Sequence, residues 1–543
     1  MKKISFISTV IFFSFITFSH ALETDTHEAI NEHISRNTLN SFSLDTYLKN
    51  QLGITGGIEE SFKFSSETHE VWRWIKLGGK YEDIPAWYLP YLRSKNHFHN
   101  PINEQGFSGI WDTGFLSGMS AINWVLSSPN TQSPGGYYSW DDVRRNYYLK
   151  ALTSTTKTER DTNFAQTFRG LGQLMHLVQD MSVPEHTRND GHYVPYIAYE
   201  DWVKGNPGSV NTAASAPIFF NGTINNIASF MDTNKYNGSN PNDTANLTTG
   251  SDGTHYSNIG LSEFSNANFF SDDSIFTGFT YPSIAGASKW VDNTNNRTYL
   301  KKTSEGVPVE HLAAASVLYK YREVYFPQYS EWLPLGLDSK VYNDYAALLL
   351  PRAVGYSAGL LNYFFRGKMD IIKESSDSNR YIIKNLSNEN MFGTFSLYYD
   401  DTNNNRYLVA SWRNLAINAN SQSSSVTFTS PSSPAPKEEG KYILVFQGTF
   451  GNEIGAVGGM VVERLCTGAW NAHSVPSLCT LDAEGCWNVC DEYVIVGNHM
   501  YRFIWSCCGF HDDAQCTPVF KCAEYFDDPC MTYGLYTYTW ECY

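Results

Sequence analysis

The sequence predicts a multidomain fold: a mostly helical region over residues 22–368, a small β-sandwich-like domain over 369–464, and a Cys-rich, disulfide-stapled region over 465–543. Three observations support this division. At 543 residues the chain is too long for one ordinary core, so two or three domains are expected. The chain reads as mostly helical before Lys368, and short β-rich segments with Asn/Asp-rich turns follow it. All ten cysteines lie between Cys466 and Cys542.

The first 21 residues have the layout of a signal peptide. Lys2 and Lys3 precede an apolar stretch over 4–18, and Ser19-His20-Ala21 supplies small residues at the cleavage-determining positions. Leu22 would become the new N-terminus. The apolar stretch is short for a membrane span. The run over 346–365 is interrupted by Pro351, Arg352 and Asn362, which favours a buried helix. An exported protein, periplasmic or secreted and without a transmembrane segment, is therefore expected.

Within 22–368 the clearest helix is predicted over 164–181, with Phe164, Phe168, Leu171, Leu174, Met175 and Val178 as its apolar stripe and Pro184 closing it. A second long helix is predicted over 341–365, kinked at Pro351. The stretch 205–254, dense in Asn, Ser, Gly and Thr, reads as long loops or an insertion. Beyond Lys368, segments 380–383, 394–398 and 442–446 read as strands, with the Ser/Pro-rich stretch 421–440 as a loop or linker. In an exported chain, ten clustered cysteines read as disulfides. A zinc ribbon would need close Cys pairs at regular spacing. Instead, Cys486 and Cys490 are four apart and Cys507-Cys508 are adjacent.

Net charge is −16, so the surface as a whole would not attract a polyanion and broad nucleic-acid binding is disfavoured. A phosphate ester held at a local metal site remains compatible with that charge, because the ion's own field dominates there. The chemistry concentrates around one helix. His176 and Asp180 are four apart, so they share one face a turn apart. His186 follows six residues later, then His192 and Glu200. Upstream lie His27, the pair Glu82-Asp83, and His97-Phe98-His99-Asn100-Pro101. Imidazoles mixed with carboxylates are the donor set that zinc prefers.

In order and spacing this set resembles the zinc phospholipase C and single-strand-specific nuclease superfamily, an all-helical fold with three zinc ions in a cleft. The resemblance covers residues 22–368, and its most specific part is the spacing from His176 through Asp180 to His186. It implies that Asp83, His97, His176 and Asp180 hold one Zn2+. Asp180 would bridge to a second, bound by His27 and the terminal amine and carbonyl of Leu22. His186, His192 and Glu200 would hold the third. It also implies that Asp83 is the catalytic base. Three departures stand out. His192 and Glu200 are eight apart rather than four, with Pro195 between them; on one straight helix that is about 12 Å. Asn100 stands where the family often has Asp. Glu82 competes with Asp83, and the spacing of fourteen from Asp83 to His97 favours the latter.

The expected function is that of a phospholipase C-like phosphodiesterase acting on a phospholipid or other phosphodiester, with peripheral membrane contact through the β region by analogy. A single-strand nuclease or 3′-nucleotidase is the alternative enzyme. A surface binding protein with a structural metal centre is the alternative of another class. His33, His69, His255, His311, His473, His499 and His511 are read as structural, and His99 as a support for metal ligands.

Overall fold

The computed structural model describes residues 24–83, 91–109, 113–191, 198–275, 279–316, 335–374, 380–428 and 441–462, and the strands 468–475, 486–496, 499–508, 515–519 and 535–542. These fall into two compact units. The first gathers Met1–Met369, Asn385–Ser421 and Tyr442–Val461; the second gathers Asp370–Lys384, Gln422–Lys441 and Val462–Tyr543.

The helical framework of the first unit comprises α1 (Thr24–Arg36), α2 (Val71–Asp83), α3 (Lys157–Asp180), α4 (Pro184–Thr187), α5 (Tyr199–Gly205), α6 (Leu261–Asn268) and α7 (Ser339–Phe364). Thr156 caps α3 by accepting a hydrogen bond from the Glu159 amide. The predicted stripe on α3 is buried, and so are Thr167, Gln173, His176, Gln179 and Asp180 on its other faces. This helix is surrounded by protein, packing against α1, α2 and α7. It begins at Lys157, earlier than the predicted 164, and ends at Asp180, one residue from the predicted end, while Pro184 opens α4 as an N-terminal proline. Pro351 lies inside α7, which continues to Phe364.

The crossing of α2 and α3 sets the site. A Cβ on Gly78 would stand 2.2 Å from the Arg169 carbonyl oxygen, and one on Gly172 would stand 2.1 Å from that of Ile75. The two backbones therefore meet with no side chain between them, an approach open only to glycine.

Residues 22–368 are mixed rather than all-α. The stretch expected as loops or an insertion carries a helix over Pro207–Ser215 and a three-stranded sheet. In that sheet β5 (His255–Ser257) lies between β3 (Ile218–Phe220), parallel to it, and β4 (Leu247–Thr249), antiparallel to it. A second sheet runs in the order β6 (Ser288–Asp292), β7 (Arg297–Lys302), β8 (Val309–Ala315) and β9 (Leu335–Gly336). Short strands survive there because tertiary burial overrides local preference: Ala313 and Ala314 of β8 are fully buried. A small hairpin pairs β1 (Ser61–Phe64) with β2 (Glu67–Glu70).

The predicted strands appear within β11 (Arg380–Asn385), β12 (Met391–Asp400) and β16 (Lys441–Phe450). In the first unit, β12 and β16 form the centre of a four-stranded sheet flanked by β13 (Arg406–Ile417) and β17 (Glu453–Val462). It docks on the helical region through buried Glu453, which accepts from Trp140 Nε1 at 2.7 Å, pairs with Arg366 at 2.7 Å, and also pairs with Arg144. Next, β10 (Met369–Lys373) pairs with β11, which also pairs with the short strands β14 (Ser421–Gln422) and β15 (Val426–Thr427). The Cys-rich region forms a sheet of β18 (Gly468–Val475), β22 (Leu535–Cys542), β20 (His499–Cys508) and β19 (Cys486–Val496), with β21 (Gln515–Val519) also on β20. Among the described residues no helix is long and apolar enough to cross a membrane.

Candidate metal centre

Three helices and the segment after the second deliver the site. His27 comes from α1, Asp83 from the last residue of α2, and His176 and Asp180 from α3, while His97 lies fourteen residues beyond Asp83. All five are fully buried. His27, His176 and Asp180 present ligand atoms within 4.8 Å of one another, as do Asp83, His97 and His176. Both groups could hold a metal ion.

Neighbouring hydrogen bonds fix which ring nitrogens face inward. His176 Nδ1 lies 2.7 Å from the Gly79 carbonyl, which can only accept, so Nδ1 carries the proton. The α2–α3 glycine contact is what brings that carbonyl within reach. His27 Nδ1 lies 2.6 Å from Gln179 Oε1. The orientation of that amide is set in turn, since Gln179 Nε2 donates to Asn31 Oδ1 at 2.9 Å. Asn31 is itself oriented by donating to the carbonyls of Ile75 and Gly172. His27 Nδ1 is therefore also a donor.

Both imidazoles thus turn an Nε2 lone pair toward the centre, and that of His176 also lies 3.3 Å from His97 Nδ1, from which it can accept. His27 Nε2 lies 3.2 Å from Asp180 Oδ1, and His176 Nε2 lies 3.2 Å from Asp180 Oδ2 and 3.6 Å from Asp83 Oδ1. Neither oxygen of Asp180 accepts a hydrogen bond. Lone pairs facing carboxylate oxygens repel unless a cation lies between them. Without a metal the charge on Asp180 is met by the His97 ring, whose Nδ1 lies 3.1 Å away, a compensation that a metal ion would take over. The donor set therefore fits a metal ion.

Glu82 stands behind His97, beyond hydrogen-bond distance of its ring. His97 Nε2 lies 3.7 Å from Glu82 Oε1 and its Nδ1 lies 3.1 Å from Asp180 and 3.4 Å from Asp83. Glu82 is committed elsewhere, accepting from Arg93 at 2.8 Å and from Trp124 Nε1 at 2.9 Å. Burial pushes the Glu82 carboxyl up, but Arg93 and His97 outweigh it and bring it down to about 2. Burial pushes the His176 imidazole down to about 4 despite Asp180 beside it. It lowers His97 as well, but Asp180, Glu82 and Asp83 reverse that and raise the ring to about 10. Burial raises Asp180 too, and His176 and His97 hold its carboxyl well below the usual range.

The remaining expected ligands divide. His186, on α4, places Nδ1 3.9 Å from Asp180 Oδ1 and Nε2 4.0 Å from Glu200 Oε2 on α5, so these two adjoin the cluster. Leu22 and His192 lie outside the described residues. His99 donates its backbone N–H to the His186 carbonyl at 3.0 Å, while its ring meets Ser120 Oγ and Asp232 Oδ2 at 2.8 Å each. With Glu104 and Asp232 it forms a third group of metal-ligand dimensions.

Sequence reasoning missed Gln179, Asn31, Gly79, Arg93 and Trp124, the residues that hold the imidazoles and Glu82. The groups they hold are up to 152 positions away, as for Gln179 and His27, so no local pattern reports them. The only available signal was the pair of close glycine positions on α2 and α3.

The chain matches no family model and no curated protein. Among solved structures it is similar to the alpha toxin from Clostridium absonum, at 10% identity over 80% of this chain and 93% of that one, with a TM-score of 0.28. A Clostridium perfringens alpha-toxin from avian strain SWCP gives 13% identity over 81% and 98%, with a TM-score of 0.23. Likeness at that level carries neither fold nor activity to this chain.

Proposed function

We propose that this protein is an exported, zinc-dependent phosphoric diester hydrolase of the phospholipase C type, with the helical region as its catalytic part. The observation that carries this reading is the pair of imidazole lone pairs, on His27 and His176, aimed at the buried carboxylate of Asp180. His97 and Asp83 complete a first group of ligands around His176 and Asp180. His27 would share Asp180 with a second ion, together with the Leu22 terminus left by leader cleavage. His186, Glu200 and His192 would serve a third.

Zinc bound there would supply a water acidified toward neutrality and positive charge against phosphoryl oxygens. The protein's own contribution is positional. Glu82, clamped by Arg93 and Trp124, backs His97; Gly79 holds His176; and Gln179 holds His27. Asp83, next to both His97 and His176, is the group we assign to accept the proton of the attacking water.

The test joins metal content to turnover in protein beginning at Leu22, assayed on phosphatidylcholine vesicles and on a single-stranded oligonucleotide beside Asp180→Asn. Bound zinc with lipid cleavage that the variant loses supports the reading. Oligonucleotide cleavage alone moves the substrate to nucleic acid. Protein without zinc under loading conditions overturns it.

A further inference from the structure

We propose that Cys507 and Cys508, adjacent on one strand, form two separate disulfides to opposite neighbours: Cys508 with Cys486 and Cys507 with Cys516. The proposal rests on strand register in the Cys-rich sheet. β20 pairs antiparallel with β19 along its length, and Cys486 stands directly opposite Cys508. On its other edge β20 pairs antiparallel with β21, and there Cys507 stands directly opposite Cys516. Directly opposed antiparallel positions have Cα atoms about 4.5 or 5.5 Å apart, depending on the type of pair. Both values fall inside the window of about 4.4–6.8 Å that a disulfide accepts.

The competing pairings fail on the same geometry. A bond between Cys507 and Cys508 would join Cα atoms about 3.8 Å apart across a trans peptide, below that window. The exchanged arrangement would join Cys486 to Cys507 and Cys508 to Cys516. It crosses the faces of the sheet, because consecutive positions of a strand belong to opposite faces. In register, Cys486 stands opposite Cys508 and Trp487 opposite Cys507, while Cys516 stands opposite Cys507 and Gln515 opposite Cys508. One bond would thus tie each edge of β20, one on each face. Cys490 stands opposite Ile504 and has no cysteine across from it in that register.

Each bond forms by oxidation of two thiols to one disulfide, releasing two protons and two electrons. A dithiol–disulfide oxidoreductase of an oxidising compartment accepts the electrons and is itself reduced to the dithiol.

The experiment uses the full mature chain, secreted into an oxidising periplasm and blocked with N-ethylmaleimide at acid pH before digestion. Cleavage at Asp482, Asp491, Asp512 and Lys521 should release a species joining three peptides, which carry Cys486 with Cys490, Cys507-Cys508, and Cys516, together with any peptide that Cys490 itself bonds. Electron-transfer fragmentation of that species should place the Cys486 peptide on Cys508. The substitution Cys486→Ser should add one maleimide on Cys508, and Cys516→Ser should add one on Cys507. Fragment ions between the two adjacent residues locate the label. Label on the opposite cysteine, a bond between Cys507 and Cys508, or four free thiols in the wild-type chain would each overturn the proposal. The wild-type mapping stands even if a variant fails to fold.

Discussion

Two histidine clusters in the first unit are built from the same residue types and end in different states. Around His176, imidazoles converge on Asp180, whose oxygens accept no hydrogen bond. Around His311 on β8, the ring lies between Asp344, 2.9 Å from Nδ1, and Asp292, 3.4 Å from Nε2. There every carboxylate has donors. Asp344 also accepts from the His311 amide, and Asp292 takes the Lys340 ammonium and the Thr294 amide. A cavity of about 600 Å3 opens beside this second cluster, lined by Trp202 and Asp344 among others, whereas the ligands of the first are fully buried. What separates a candidate metal centre from a structural histidine is therefore hydrogen-bond accounting. Residue type does not distinguish the two clusters, and proximity to a cavity points the wrong way.

The sharpest way to break this contrast is to remove the metal or its bridge. Chelation should lower the melting temperature by roughly 10 °C, and Asp180→Asn should abolish both turnover and full zinc loading. If differential scanning fluorimetry shows no chelator effect and mass spectrometry finds equal zinc in the variant, the two clusters are equivalent after all. Next in size is Glu82→Gln. The depressed Glu82 carboxyl contributes stability above its ordinary value of 4.5, and that contribution is lost as pH falls toward about 2. In metal-stripped protein the variant should be less stable by about 3 kcal/mol at neutral pH, the gap closing in acid. Denaturant titrations at pH 7 and pH 3 check it, and a gap constant with pH would remove Glu82 from its ionised role.

Smaller again is Gln179→Leu, which deprives His27 Nδ1 of its acceptor. We expect zinc affinity to fall roughly 10–100-fold at the site containing His27, read by competition with a chelating dye, while the far-ultraviolet dichroism is unchanged. Unaltered affinity would mean that the Asn31–Gln179 chain orients nothing. The smallest effect belongs to the comparison cluster: Asp344→Asn should change stability by about 1 kcal/mol or less and leave zinc content untouched. A loss of zinc in that variant would show that the two clusters are coupled.

Much of the candidate site was legible because its ligands follow local rules. His176 and Asp180 lie one helical turn apart, and His186 follows the break between α3 and α4. His27, Asp83 and His97 could be proposed only through a resemblance in spacing, since three separate segments carry them. Glu82 and Asp83 could not be told apart by sequence chemistry. What distinguishes them in space is that Arg93 and Trp124 occupy Glu82. The strands after Lys368 are long and β-rich, whereas β3, β4 and β5 have three residues each, too short for any period to register. The helix–strand balance before residue 368 was accordingly misjudged in favour of helix.

The glycine crossing of α2 and α3 has a consequence for how damage to this protein would be diagnosed. Gly78 and Gly172 touch no imidazole, yet their backbones set the distance between the Gly79 carbonyl and His176. An alanine at either position would push the helices apart and turn the His176 ring out of line. A genetic screen for inactive enzyme would then recover these packing residues beside the ligands themselves. Read by phenotype alone, a lost spacer and a lost ligand would look like the same lesion.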